Sequence, residues 1–173
     1  GLHAAHELLG KNGEQLGLVH RDVTPHNLFV TYDGVTKVVD FGIAKFASRA
    51  SHTRAGTLKG KLAYMSPEQA RGEPLDRRSD IFASGIVLWE LLVGARLFDG
   101  ENEASVLTQL LVEKPSAPSS RHADLAPFDA LVAKALETSS DERYPTTLAF
   151  AEAIGAAIPA SPRAEVEAWV REE

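Results

Sequence analysis

Changes in the period of apolar and polar positions mark the elements of this chain. Residues 2–9 place Leu2, Ala5, Leu8 and Leu9 at helical spacing and read as the end of a helix. A polar turn, Lys11-Asn12-Gly13-Glu14-Gln15, leads to a short apolar stretch at 17–20. Residues 28–31 and 36–39 are strand-like, and Tyr32-Asp33-Gly34 between them suits a hairpin turn. From 45 to 61 the chain turns polar, with Ser48, Ser51, Thr53 and Thr57 interleaved with Arg and Gly. A loop of that length in a compact domain is usually functional.

Residues 80–93 are apolar on nearly all sides, which predicts a helix buried in a core. A loop at 96–100 precedes predicted helices at 103–112, 128–137 and 146–158, with a Pro- and Ser-rich linker at 114–120. Pro159 and Pro162 bracket the end of the last of these, and residues 163–173 form a short amphipathic tail. The expected fold class is mainly α with one small β-hairpin. Residues 1–158 make the domain and 159–173 a C-terminal tail.

Composition narrows this little. Of the 173 residues, 44% are hydrophobic and 24% charged, ordinary for a globular protein, and a chain of this size buries roughly 70% of its unfolded surface. A net charge of −6 argues against nucleic-acid or anionic-membrane binding. The chain has no cysteine, which excludes disulfides and thiolate metal sites and fits a reducing cytoplasm. The apolar tract at 81–93 is too short to span a bilayer. The chain opens as if inside a helix, so it is expected to be part of a longer protein.

The chemistry lies in three motifs that stand in order. They are His20-Arg21-Asp22-Val23-Thr24-Pro25-His26-Asn27, then Asp40-Phe41-Gly42, then Ser66-Pro67-Glu68. Their order and spacing resemble the catalytic loop, the metal-binding DFG and the end of the activation segment of eukaryotic-type serine/threonine protein kinases, in their bacterial subgroup. The resemblance runs over nearly the whole chain and implies the C-terminal lobe of the kinase-like fold. The glycine-rich loop, the strand Lys and the helix Glu of the N-terminal lobe do not occur in these residues. A missing N-lobe is therefore an expected partner, along with protein substrates, and the fragment alone is expected to be inactive.

The resemblance implies a role for each motif residue. Asp22 resembles the catalytic base that aims a substrate hydroxyl at the γ-phosphate of ATP. Asn27 and Asp40 resemble the magnesium ligands; hard oxygen donors suit that ion. Phe29 lies where the family floors the adenine pocket. His20 and Phe41 resemble packed spine residues, and Gly42 completes the DFG. Asp80 resembles the anchor of the catalytic-loop backbone, with helix capping as the plainer alternative. Glu68 and Arg143 resemble the ion pair that ties the activation segment to the helical body. Thr57, then Thr53, resemble activating phosphorylation sites, and Arg21 marks the class in which an arginine meets that phosphate.

Two positions depart from the pattern. The family carries Lys where Thr24 stands and Thr where Lys61 stands. In the family those two positions touch each other beside the catalytic Asp, so Lys61 and Thr24 are read as exchanged, with the ammonium and the hydroxyl both retained. Two unrelated losses are the alternative. His26 replaces a common Glu while Glu90 is kept, which leaves substrate preference open. Tyrosine specificity is disfavoured by the form of the catalytic loop. A non-catalytic kinase-like interaction module is the competing function. A small-molecule phosphotransferase fits worse, because of the long loop and its Ser-Pro-Glu ending.

Overall fold

The computed structural model describes residues 1–41 and 60–172. Gly42, Ser48, Ser51, Thr53 and Thr57 lie outside the described residues. Helix α1 (Leu2–His6) leads into a loop closed by a Leu9–Gln15 bridge. A 3-10 turn (Pro25–Asn27) feeds β1 (Leu28–Val30), which pairs antiparallel with β2 (Thr36–Val38) in the register Leu28–Val38, Phe29–Lys37, Val30–Thr36. Among the described residues the α-helices that follow are α2 (Pro67–Arg71), α3 (Arg77–Val93), α4 (Glu103–Val112), α5 (Asp129–Ala135), α6 (Thr147–Ala157) and α7 (Arg163–Glu172).

Helix α3 is the core about which the others pack. Ile81, Phe82, Ile86, Val87 and Trp89 are all buried and meet Phe98, Val106, Leu110, Leu131, Val132 and Phe150. Gly85 permits a close approach to the end of α5. A Cβ there would stand 2.9 Å from the Ala135 Cβ and 3.1 Å from Leu136. The helix begins three residues before the apolar run, because Asp76 caps it by accepting from Arg78 N at 2.7 Å. Asp80 is therefore a residue of the first turn and not the helix start. Its side chain is spent on groups outside the helix, so the capping alternative fails.

The other helix ends follow from local chemistry. Asn102 and Ser105 form a capping box at α4, and Thr146 caps α6 through Ala149 N at 3.1 Å. Ser66 caps α2, a helix absent from the sequence reading, with Pro67 at its first position and Gly72 in the left-handed region (φ 71°) after its end. The expected helix at 128–137 starts later, at Asp129. The preceding stretch, Ala123–Phe128, is 3-10, with Pro127 inside it removing the N–H that an α-helix would use.

Helix α7 folds back on the hairpin turn. Arg163 Nε donates to the Asp33 carbonyl at 2.6 Å and Nη2 to Asp33 Oδ2 at 2.5 Å. The Thr31 hydroxyl also donates to Asp33, and this bond first, then Arg163, holds the Asp33 carboxyl below its ordinary range. Gly34 sits at φ 72°, and a Cβ there would fall 2.6 Å from the Arg163 carbonyl. Gly34→Ala should release α7, so tryptic cleavage after Arg163 should accelerate several-fold while sites in α3 stay protected. Unchanged cleavage would show that α7 does not depend on this seat.

Candidate active site

The loop from His20 to Asn27 hangs from one carboxylate. Asp80, 1% exposed, accepts from His20 N at 2.7 Å through Oδ2 and from Arg21 N at 2.8 Å through Oδ1. His6 Nε2 donates to the same Oδ2 at 2.8 Å, with the Thr147 hydroxyl 3.4 Å from its other nitrogen. The anchored backbone is strained, since Arg21 has φ 68°. A non-glycine residue persists there only where its surroundings hold it.

The His20 ring joins the loop to the segment after β2. Nε2 donates to the Val39 carbonyl at 2.9 Å, which leaves Nδ1 to accept from Asp22 N at 3.3 Å. Phe41 packs against the ring with centroids 4.5 Å apart. Between these residues Asp40 is exposed, at φ 58°. Asn27 closes the circuit. Its Nδ2 donates to the Asp22 carbonyl at 2.7 Å, and its own carbonyl accepts from Val39 N at 3.0 Å. With Nδ2 committed, the Oδ1 of Asn27 is the side-chain oxygen left to face a cation. Phe29 stands on β1 with 54% of its surface exposed.

The far side of the site comes from residues 60–69. Lys61 Nζ lies 3.3 Å from Asp22 Oδ2. Thr24 is buried two residues beyond Asp22, its carbonyl accepting from Asn27 N. Gln69 Nε2 donates to the Arg21 carbonyl at 2.8 Å. Sequence reading missed Gln69 and His6. The Ser-Pro-Glu-Gln string was a legible helix start that would have placed Gln69 inside the first turn of α2. Glu90, left open as a contact for basic substrates, is taken up internally. Tyr64 donates to its Oε2 at 2.6 Å and Leu97 N to its Oε1 at 3.2 Å. Burial first, then this bond, raises the Tyr64 pKa.

Glu68 and Arg143 meet as a bidentate pair, Nη1–Oε1 and Nη2–Oε2 both 2.8 Å. Ser79 adds a hydroxyl to Oε1 at 2.6 Å. Arg143 spends its remaining donors on the carbonyls of Arg78, Glu137 and Thr138 and lies over the Phe82 ring. Burial pushes the Glu68 carboxyl up, but the Arg143 and Ser79 hydrogen bonds and the guanidinium charge outweigh it and lower its pKa to about 2.

The model of the protein kinase domain family matches residues 13–152. The chain belongs to the protein kinase family. The tyrosine-protein kinase MasK of Myxococcus xanthus is 48% identical over 155 residues, 89% of this chain and 24% of that protein. The serine/threonine-protein kinase PknB of Mycolicibacterium smegmatis is 44% identical over 135 residues, 76% of this chain and 22% of that protein. The crystal structure of the Mycobacterium tuberculosis PknI kinase domain is similar with a TM-score of 0.59 at 29% identity, covering 82% of this chain and 46% of that one. The chain thus spans about a quarter of these curated relatives and just under half of a kinase domain. Among the described residues, the helical body and its one hairpin match the C-lobe portion of the kinase fold. No helix among the described residues is long and apolar enough to cross a membrane.

Breaking the Glu68–Arg143 pair should be costly. Arg143→Ala leaves a buried carboxylate without its partner, a loss of about 3–5 kcal/mol. Melting should fall by roughly ten degrees, and an unchanged transition would remove the pair from the fold's supports. The lowered Glu68 pKa sets a pH window as well. Its ordinary value is 4.5, so the stability it adds is complete above about pH 4.5 and lost as pH falls toward about 2. Acid titration of Glu68→Gln should lack that component.

Proposed function

We propose that this chain is the catalytic half of a kinase domain that transfers the γ-phosphoryl group of ATP to serine or threonine hydroxyls of proteins. The observation that carries the reading is the run of bonds from the Asp22 carbonyl to Asn27 Nδ2, and from the Asn27 carbonyl to Val39 N beside Asp40. It joins three oxygen-bearing side chains through one short stretch of backbone.

Asp22 would accept the proton of the substrate hydroxyl. Its carboxylate is steadied by Lys61, and its backbone is fixed by Asp80 through the two preceding amides. Asn27 and Asp40 would hold magnesium, which when bound neutralises charge on the transferring phosphoryl group. The donor set fits, since Asn27 offers an oriented amide oxygen and Asp40 an exposed carboxylate. Exposed Phe29 would floor the adenine. His20 and Phe41 keep the spine role, and Arg21, Thr57, Thr53 and Gly42 the roles that the family resemblance implies. The N-lobe of the parent chain would cover the phosphates. Residues 1–158 are taken as the lobe and 159–173 as its tail, and the reaction is placed in the cytoplasm, which is compatible with a membrane-anchored parent protein.

The contact between Lys61 and Asp22 supports the exchange with Thr24. In the complete kinase, Lys61→Thr should lower turnover, and adding Thr24→Lys should recover part of it. Purely additive losses in that cycle would refute the exchange. A second reading, transfer to tyrosine, is favoured by the name of the relative MasK. Labelled γ-phosphate transfer followed by phosphoamino-acid analysis separates the two. The expected label is on serine and threonine, and Asp40→Asn should abolish it. Label retained in that variant would defeat the proposed metal site.

A further inference from the structure

The peptide plane that links Arg21 to Asp22 is held at both ends. Its N–H, from Asp22, donates to His20 Nδ1 at 3.3 Å. Its carbonyl, from Arg21, accepts from Gln69 Nε2 at 2.8 Å. The residue before the plane is in the left-handed region at φ 68°, where an arginine does not rest without support. The amide of Arg21 is already fixed to Asp80 at 2.8 Å. Rotation about the next bonds would swing the plane and carry Asp22 with it.

Gln69 reaches this carbonyl from α2. Its backbone N–H meets the Ser66 cap at 3.3 Å, and its neighbour Glu68 is clamped by Arg143. The side chain therefore starts from a fixed base. We propose that Gln69 is a positioning residue that holds the Arg21–Asp22 peptide, so that docking of α2 onto the helical body sets the aim of Asp22. This rests on the reading of Asp22 as catalytic base. Two contacts from one segment then converge on Asp22, with Lys61 on its carboxylate and Gln69 on the peptide before it.

The test uses the complete kinase that carries these residues. Gln69→Leu keeps the approximate size and removes the donor. It should lower kcat about tenfold, the worth of one such hydrogen bond. KM for ATP and the melting temperature should hold, because Gln69 does not belong to the proposed nucleotide site or to the Glu68–Arg143 pair. Gln69→Lys, which restores a donor, should recover much of the loss, and Gln69→Glu, which sets a carboxylate against the carbonyl, should fall below Leu. Amide hydrogen exchange supplies a readout that needs no phosphoryl transfer. In Gln69→Leu the Asp22 amide should exchange several-fold faster while amides of α3 are unchanged.

Unchanged exchange at Asp22, or faster exchange throughout α3, would overturn the clamp. So would equal turnover in all three variants. A wild-type enzyme that transfers no phosphate, yet shows the exchange change, would defeat the kinase reading and the catalytic role together, and leave Gln69 as a loop anchor.

Discussion

A buried carboxylate must be satisfied where it stands, and Asp80 meets that demand with the backbone of the catalytic loop. Its acceptors take the amides of His20 and Arg21 and the His6 ring. Hydrogen bonds to a charged group are worth about 1.5–3 kcal/mol each, more than neutral ones. That margin can hold Arg21 at φ 68°, a conformation that costs about 1–2 kcal/mol. The strain beside Asp22 is thus a consequence of where α3 places one side chain.

The same turn of α3 also carries the second anchor. Ser79 donates to Glu68, and the Arg78 carbonyl accepts from Arg143, one and two residues before Asp80. Three consecutive residues therefore fix the catalytic loop on one side and the end of the activation segment on the other. The same helix carries Ile81, Phe82 and Ile86, which are fully buried in the core. A packed interior is stiff and transmits displacement. Movement of either anchor must either shift α3 or break a buried polar contact, so loop and segment share one frame.

The chain's chemistry was more legible than its geometry. Motif spacing picked out Asp22, Asn27 and Asp40 as candidates, and hydrogen bonds run from the Asn27 side chain to the Asp22 carbonyl and from Val39, the residue before Asp40, to the Asn27 carbonyl. The turn at Asp33-Gly34 and the bounds of α4 were readable because each depends on residues adjacent in sequence. Asp80 was misplaced as the start of α3 because apolar periodicity reports burial, and the first turn of a helix can be polar. Gln69 and His6 were invisible for a different reason. Their partners lie 48 and 74 residues away, and a polar side chain carries no period that reveals a distant backbone carbonyl or a shared carboxylate.

What the lobe fixes and what it leaves open divide by the origin of the contacts. Asp22 is bonded by His20, Asn27 and Lys61, and Arg21 before it by Asp80 and Gln69, all within this chain. The surroundings of Asp22, the proposed base, are therefore supplied by this lobe itself. Phe29 and Asp40 face outward, with no comparable set of contacts among the described residues. An exposed aromatic on β1 and an exposed carboxylate just after β2 suit the proposed adenine floor and metal ligand. On the proposed reading, aim is thus intrinsic to this lobe, whereas grip on the nucleotide would need surfaces from beyond it. On this division, loss of the N-lobe would abolish transfer by removing binding while leaving the geometry around Asp22 intact.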